Sequence, residues 1–269
     1  ALMADPSQPD FRVPDLLPPD QIGMARLERR RSMRSIVEQA ADEFEASEDA
    51  RLLDENFQTA YRLMTSTQAR EAFDLSKEPT HVRERYGMNR FGQCCLLARR
   101  LVENGVRFVQ LYDWGWDHHG SSPGESVDET LPIKCQQIDR AIAGLIKDLK
   151  QRGLFDETLI VWGGEFGRTP MMQNNVHKEL KKGFIGRDHH PHAFTMWMAG
   201  GGIKPGSYGN TDEIGYYIGE NPMSIRDLQA TILHQIGIDP HRFSFAYEGL
   251  NQRLIGPTEE GRVVNEIIG

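Results

Sequence analysis

The sequence predicts an α/β fold, with a mainly parallel sheet covered by helices on both faces and preceded by a helical segment. Three observations support this prediction. Helical spacing of apolar residues dominates residues 21–104, whereas short β-branched and aromatic runs alternate with helical patterns after residue 105. Polar clusters directly follow two of these runs and precede a third, and sites in open parallel sheets form beyond the carboxyl ends of the strands.

The first part of the chain is predicted to be a linker followed by helices. Residues 1–20 contain five prolines, which favours an extended linker. Residues 21–104 are predicted to form a helical segment that packs on the sheet, because apolar residues recur there at spacings of three and four. Two helices are expected between Pro19 and Met64, and further helices at His81–Tyr86 and Phe91–Glu103.

Residues 105–269 are predicted to form the α/β part that carries the functional site. Its strands are rich in aromatic and β-branched residues, and its helices have one apolar face. The order strand, helix, strand, loop, strand, helix implies parallel strands. The predicted strands are Val106–Tyr112, Thr158–Trp162 and Phe194–Ala199, and the predicted helices are Leu131–Arg152 and Ile225–Ile236.

Composition argues against several classes of protein. The 269 residues carry a formal net charge of −8, which disfavours nucleic acid as a partner. No apolar run approaches the ~18 residues that span a bilayer, so no transmembrane segment is predicted. The dense basic run from Arg26 to Arg34 is either a solvated helix face or a partner-binding patch. The chain begins with Ala1 rather than Met, and we expect it to start partway through a longer protein.

Three polar clusters lie beside the predicted strands. Asp113 to Gly120 (DWGWDHHG) follow the first strand, Gly163 to Pro170 (GGEFGRTP) follow the second, and Gly186 to His192 (GRDHHPH) precede the third. Five of the nine histidines fall in the first and third clusters. Because such clusters gather at one edge of a parallel sheet, we expect their side chains to meet.

The mixture of imidazole and carboxylate in these clusters favours a metal site. Asp117 and His119 are two residues apart, so both can turn toward one ion, and Glu165 is a lone carboxylate after an apolar strand. The guanidinium of Arg168 fits phosphate or sulfate bidentately. The alternatives are that Asp117 and His119 cap a turn, and that Glu165 and Arg168 form a structural ion pair.

These motifs together resemble a known family. The stretches FGQCCLLARRLVENGVRFVQLY, WDHHG, LIVWGGEFGRTP, GRDHHPHAFTMWMAGGG and DLQATILHQIGID cover most of residues 90–240. They resemble the carboxy-terminal half of the domain of unknown function 1501 family, a sulfatase-like branch of the alkaline phosphatase superfamily. No stretch matches the amino-terminal half of that fold, from which the superfamily's nucleophile is expected.

The resemblance implies roles for individual residues. Asp117, His119, Glu165 and His189 match metal-ligand positions, with His190 as the alternative to His189. The relatives carry a histidine where this chain has Phe166, so a full two-zinc site is not implied. Arg168 is expected to neutralise charge on the reacting group, and His190 or His192 is either a proton donor to the leaving group or a surface loop residue.

The predicted function is therefore a metal-dependent hydrolase. The resemblance implies a phosphate or sulfate ester of a small molecule or glycan as substrate, with zinc, manganese, calcium or magnesium as the divalent ion. Two alternatives stay open: a catalytically degenerate member that only binds its ligand, and a structural or interaction module of a larger assembly. The resemblance also implies a location in the periplasm or at the cell surface.

Overall fold

A computed structural model of the chain describes residues 4–13, 16, 22–39, 48–173, 184–257 and 261–269. These residues fall into two compact units, one of residues 1–111 and 140–145 and one of residues 112–139 and 146–269. The linker predicted for residues 1–20 lies partly outside the described residues. The helices are α1 (Met24–Gln39), α2 (Glu48–Thr65), α3 (Thr67–Phe73), α4 (Thr80–Tyr86), α5 (Arg90–Glu103), α6 (Thr130–Gln151) and α7 (Ile225–Gln235).

The core of the first unit is built by α3, α4, α5 and the middle of α6. Its buried members are Leu75, Tyr86, Cys95, Leu96, Leu97 and Ala141, with Phe11, Phe73 and Phe91 packed at the margin. Asn89 caps the start of helix α5, and its side chain accepts a hydrogen bond from the backbone of Gly92. A Cβ on Gly92 would lie 2.3 Å from the carbonyl oxygen of Tyr86, so glycine permits the close approach of α4 and α5.

An ion cluster is buried at the edge of this core. The carboxylate of Glu78 contacts Arg99 at 2.9 Å and also accepts a hydrogen bond from Arg100. Arg99 also binds Glu103 at 2.7 Å. Burial alone would raise the pKa of Glu78, but the hydrogen bond from Arg100 and the charge of Arg99 outweigh it and lower that pKa.

The basic run identified in the sequence lies on α1. Arg31 donates to the side chain of Gln58 at 3.0 Å, and Arg34 contacts Asp54 at 3.1 Å. The guanidinium of Arg34 also lies 3.8 Å from the ring centroid of Phe57. Two arginines of the run therefore contact α2, within the first unit.

The strands of the second unit pair two by two in antiparallel ribbons. The predicted mainly parallel sheet is therefore wrong for the residues described. The ribbons are β1 (Ile160–Trp162) with β4 (Trp197–Ala199), β2 (Gly167–Arg168) with β3 (His189–His190), β5 (Asn210–Thr211) with β6 (Ile218–Glu220), and β7 (Phe245–Tyr247) with β8 (Leu250–Gln252). Parallel pairing requires a long crossover, usually a helix. Between β1 and β4 the described chain instead contains the β2–β3 ribbon.

The predicted first strand, Val106–Tyr112, is also wrong. This segment forms neither helix nor strand. Phe108 is 75% exposed, Tyr112 69% and the following Trp114 83%. The segment has the β-branched and aromatic composition that predicted a buried strand, but none of the described strands pairs with it.

Helix α7 has the start and end that the sequence predicts. Ser224 caps it in a reciprocal capping box with Asp227, and Gly237 follows its end at a φ of 80°. Ala230 and Leu233 of α7 pack with Ile255 in the small core of the second unit. Within the parts of the chain that the structure describes, every helix is too short or too polar to cross a membrane.

Candidate metal centre

The β2–β3 ribbon sets two side chains of the site opposite each other. In its register, Arg168 faces His189 and Gly167 faces His190. Successive residues of a strand point to opposite sides, so His189 is exposed whereas His190 is buried. Gly167 allows this ribbon to lie close to the next segment, since a Cβ there would be 2.7 Å from the carbonyl oxygen of Ala193.

The turn that contains WDHHG supplies two more side chains. Asp117 and His119 reach the same site, while the intervening His118 is buried and its Nδ1 lies 2.9 Å from the carbonyl oxygen of Trp116. The backbone of Arg187 donates to the carbonyl of His118 at 2.9 Å, which ties this turn to the segment before β3. A Cβ on Gly186 would lie 2.0 Å from the carbonyl oxygen of His119, so the two segments meet at a glycine.

Asp117, His119 and His189 converge in a tight triangle. His119 Nε2 lies 2.8 Å from Asp117 Oδ1, His189 Nε2 lies 3.1 Å from the same oxygen, and the two Nε2 atoms are 3.0 Å apart. Among the residues that the structure describes, these three form a group whose side-chain atoms could bind a metal ion.

The size of the triangle is compatible with a divalent ion. Metal–ligand bonds of about 2.05 Å place neighbouring ligand atoms about 2.9 Å apart in an octahedral site and about 3.3 Å apart in a tetrahedral one. The observed separations of 2.8, 3.0 and 3.1 Å are close to the octahedral value, whereas the shortest of them is about 0.5 Å below the tetrahedral value. Two imidazoles and one carboxylate suit zinc, manganese or iron.

Arg168 completes the group from the neighbouring strand. Its Nη2 donates to Asp117 Oδ1 at 2.7 Å and to the carbonyl oxygen of Trp116 at 3.2 Å, and its Nη1 donates to the carbonyl oxygen of Arg187 at 3.1 Å. Nη1 also lies 3.4 Å from His119 Nε2. Two backbone carbonyls therefore hold the guanidinium in place beside the triangle.

The environment of Asp117 keeps its carboxylate ionised. The hydrogen bond from Arg168 and then that from His189 hold the pKa of this carboxyl well below its usual range. The Asp117 side chain is 69% exposed, so water screens these attractions and they add little to folding stability. Their consequence is that the carboxylate stays ionised at acidic pH values at which an ordinary aspartate takes up a proton.

Gln173 contacts His119 and was not among the predicted site residues. Gln173 Oε1 lies 2.7 Å from His119 Nδ1, and the backbone of Gln173 donates to the carbonyl of Gly186 at 2.9 Å. In the tautomer with the proton on Nδ1, the amide oxygen of Gln173 accepts this hydrogen bond and the Nε2 lone pair faces the triangle. Gln173 falls just beyond the GGEFGRTP cluster, and no feature of the sequence pointed to it.

Two predicted site residues do not join this group. Glu165 is exposed and lies outside the triangle. His190 Nε2 bonds to the carbonyl oxygen of Tyr216 at 2.6 Å, and its ring packs against those of Tyr216 and His192. His190 therefore packs on the buried face of the ribbon, opposite the face that carries His189. The carboxylate of Asp188 accepts a hydrogen bond from the backbone N–H of His189 at 2.8 Å.

Phe166 packs against the candidate centre as an aromatic residue. Its ring centroid lies 4.5 Å from that of His189. The phenyl ring therefore packs against one side of the His189 imidazole.

Two imidazoles, a carboxylate and a guanidinium thus define a candidate metal centre. The chain belongs to the family described as "Protein of unknown function (DUF1501)", which it matches over residues 2–268. The resemblance inferred from the motifs is therefore confirmed at the level of the family.

One relative extends this relationship. Over 123 residues, 45% of this chain, the sequence is 28% identical to lipoteichoic acid synthase from Staphylococcus saprophyticus subsp. saprophyticus. The matched region spans 17% of the length of that relative. The match is consistent with a distant sulfatase-like relationship. No solved structure matches this chain.

Proposed function

We propose that this protein is a metal-dependent hydrolase of phosphate or sulfate esters, with Asp117, His119 and His189 as the metal ligands and Arg168 as the anion-binding residue. One observation carries the proposal. Asp117 Oδ1 accepts a hydrogen bond from Nη2 of Arg168 at 2.7 Å. The Nε2 atoms of His119 and His189 lie 2.8 and 3.1 Å from the same oxygen, respectively. Three separate segments of the chain therefore meet at one oxygen atom.

The charges at the site favour an anionic substrate. With neutral histidines, the negative charge of Asp117 and the positive charge of Arg168 cancel. A divalent ion would leave the site with two positive charges, and a phosphate monoester carries nearly two negative charges at neutral pH. A sulfate monoester carries one. Both anions also present the oxygen pairs that a guanidinium binds bidentately.

The residues of the site have separable roles in the proposed reaction. A bound divalent ion would polarise the ester oxygen and lower the pKa of a hydroxyl or water nucleophile. Arg168, held by the carbonyls of Trp116 and Arg187, is preorganised to neutralise charge that develops on the transferred group. Gln173 keeps the Nε2 lone pair of His119 directed at the triangle. Phe166 covers one side of His189.

A ligand-binding protein without hydrolysis is the second candidate. Phe166 favours it, because the resemblance implies a metal-ligating histidine at this position and a phenyl ring supplies no ligand atom. The two candidates differ in turnover and share the same site.

Elemental analysis of the protein after zinc or manganese is supplied, with free ion removed, tests the metal site. We expect about one ion per chain in the wild type and none in an Asp117→Ala, His119→Ala double variant. Asp188→Asn is the matched control, because its carboxylate is adjacent to the site but contacts the backbone of His189. Loss of the ion from the control as well, or none in the wild type, would argue against the assignment.

Hydrolysis of p-nitrophenyl phosphate and p-nitrophenyl sulfate separates the two candidates. Turnover by the loaded wild type that the double variant lacks supports the hydrolase. Stoichiometric metal with binding of inorganic phosphate but no turnover of either ester would favour the ligand-binding protein. Glu165→Gln is measured in parallel, since retained metal in that variant would show that the sequence-based prediction of Glu165 as a ligand is wrong.

A further inference from the structure

The turn between Arg168 and Gln173, two residues that contact the candidate centre, carries two exposed methionines. Both ends of the turn contact the site, through Arg168 to Asp117 at 2.7 Å and through Gln173 to His119 at 2.7 Å. Between them, Met171 is 50% exposed and Met172 52% exposed. The turn is therefore fixed at both ends while its apolar side chains face solvent.

Backbone hydrogen bonds hold this turn in place. Thr169 donates from its backbone to the carbonyl of Asp188 at 2.9 Å, and its hydroxyl donates to the carbonyl of Met171 at 2.9 Å. Arg187 donates to the carbonyl of Pro170. The positions of the two methionines relative to the site are thus set by the same segment that carries His189.

A second anchored turn adds further apolar groups next to the first. Pro170 Cβ lies 3.9 Å from the position that a Cβ on Gly215 would occupy, which brings the turn at residues 212–217 against the first turn. Ile214 and Tyr217 are exposed there. The carboxylate of Asp212 accepts from the backbones of Tyr216 and Tyr217, and the carbonyl of Tyr216 binds His190 of β3.

We call Met171, Met172, Ile214 and Tyr217 the apolar rim. We propose that the ester bound at the centre is amphiphilic, with an alkyl chain that packs on this rim while its anionic group binds the metal and Arg168. This inference rests on the proposed function. Exposed apolar groups that border a polar site are typical of ligand-binding grooves, and the flexible thioether of methionine adapts to alkyl chains. The positive charge expected at the loaded centre selects an anion for the other end of the ligand.

Calorimetric titration of the zinc-loaded protein with octyl phosphate and with ethyl phosphate tests the rim. Each additional methylene group that is buried strengthens binding about three- to fourfold, so partial burial of the longer chain predicts at least ~10-fold tighter binding of octyl phosphate. In a Met171→Gln, Met172→Gln double variant we expect octyl phosphate to bind only about as tightly as ethyl phosphate. Binding of ethyl phosphate should stay unchanged.

Met33→Gln, Ile36→Gln is the matched control. Both residues are exposed on α1, and their replacement should leave the preference for octyl phosphate intact. If the methionine variant does not fold, Ile214→Gln in the second turn provides an independent reduction of the same preference. Thermal unfolding of each variant verifies the fold before titration.

The outcomes distinguish this inference from the proposed function. Equal binding of both phosphates by the wild type overturns the rim alone, because the anion site still works. A preference for octyl phosphate that the methionine variant and Ile214→Gln both retain also overturns it. Absence of binding of either phosphate overturns the proposed function and the rim with it.

The alkyl phosphate has two possible sources, a free amphiphile and a lipid headgroup. Co-sedimentation with phosphatidylcholine vesicles that contain phosphatidic acid separates them. Sedimentation of the wild type but not of the methionine variant supports a lipid as the source. Binding of octyl phosphate without sedimentation supports a free amphiphile.

Discussion

Arg168 and His189 are cross-strand partners in the β2–β3 ribbon, and both contact Oδ1 of Asp117, at 2.7 and 3.1 Å. A two-residue ribbon thus fixes the separation between the guanidinium and one imidazole. Side chains directly opposite each other on an antiparallel pair lie on the same face, so the pairing itself directs both groups toward the carboxylate. This register therefore determines that the guanidinium of Arg168 and the imidazole of His189 lie beside Asp117.

We expect Arg168→Lys to lower turnover of the proposed substrate by about 100-fold, with little change in metal content. Lysine keeps the positive charge but does not reproduce the fork that binds Asp117, Trp116 and Arg187 together. Steady-state kinetics with p-nitrophenyl phosphate measures the loss, and elemental analysis measures the metal. Loss of the metal in Arg168→Lys would contradict the role, because it would place Arg168 in the support of the ligands rather than in binding of the anion.

Gln173→Ala is expected to weaken zinc binding by about 10- to 100-fold, because His119 loses the acceptor that fixes its tautomer. Gln173→Glu retains an acceptor and should bind zinc at least as tightly as the wild type. Competition with a chromophoric chelator gives the affinities, and ¹⁵N chemical shifts of the His119 ring report the position of its proton. An unchanged affinity and an unchanged tautomer in Gln173→Ala would show that this contact does not orient the ligand.

Most of the candidate site was predictable because chemistry restricts the residue types that build it. Asp117, His119, Arg168 and His189 all fall in the three polar clusters, and extended backbone explains why His119 rather than His118 reaches the site. Gln173 was not predictable, because only its 2.7 Å contact with His119 in the folded chain indicates a role at the site.

The helices were more predictable than the sheet. Helical periodicity and caps are local, and they place α5 and α7 within one residue of the expected bounds. Strand pairing is not local. The apolar runs at 106–112 and 158–162 predicted strands but carried no information on their partners, and the structure pairs only the second, with an antiparallel strand.

Because the segment 106–112 is exposed, we expect substitutions in it to change the free energy of unfolding only slightly. Phe108→Ser should change the free energy of unfolding by less than about 0.5 kcal/mol, because the ring is 75% exposed. Leu96→Ala, in the fully buried core of the first unit, should cost about 2–5 kcal/mol. Urea unfolding followed by circular dichroism compares the two. A cost above about 3 kcal/mol for Phe108→Ser would instead support the buried strand that the sequence predicted.

Acid should destabilise the first unit through Glu78. Its pKa in the folded protein is lowered below the ordinary value of 4.5, so the stabilisation is present above that value and is lost as the pH falls through the lowered folded pKa. Glu78→Gln should cost about 3–5 kcal/mol near neutral pH, because Arg99 and Arg100 lose a buried carboxylate. The difference between wild type and variant should shrink as the pH is lowered from about 6 to about 3.

Urea unfolding at a series of pH values measures this difference directly. Glu71→Gln is the matched control, since Glu71 pairs with Lys77 at 2.8 Å on the surface and its removal should have little effect at any of these pH values. Glu71 and Asp74 also titrate in acid, but both are present in the wild type and in Glu78→Gln, so their contributions cancel in the comparison. A gap between wild type and Glu78→Gln that stays constant with pH would mean that the carboxylate acts through its shape and hydrogen bonds, and that its charge does not stabilise the cluster.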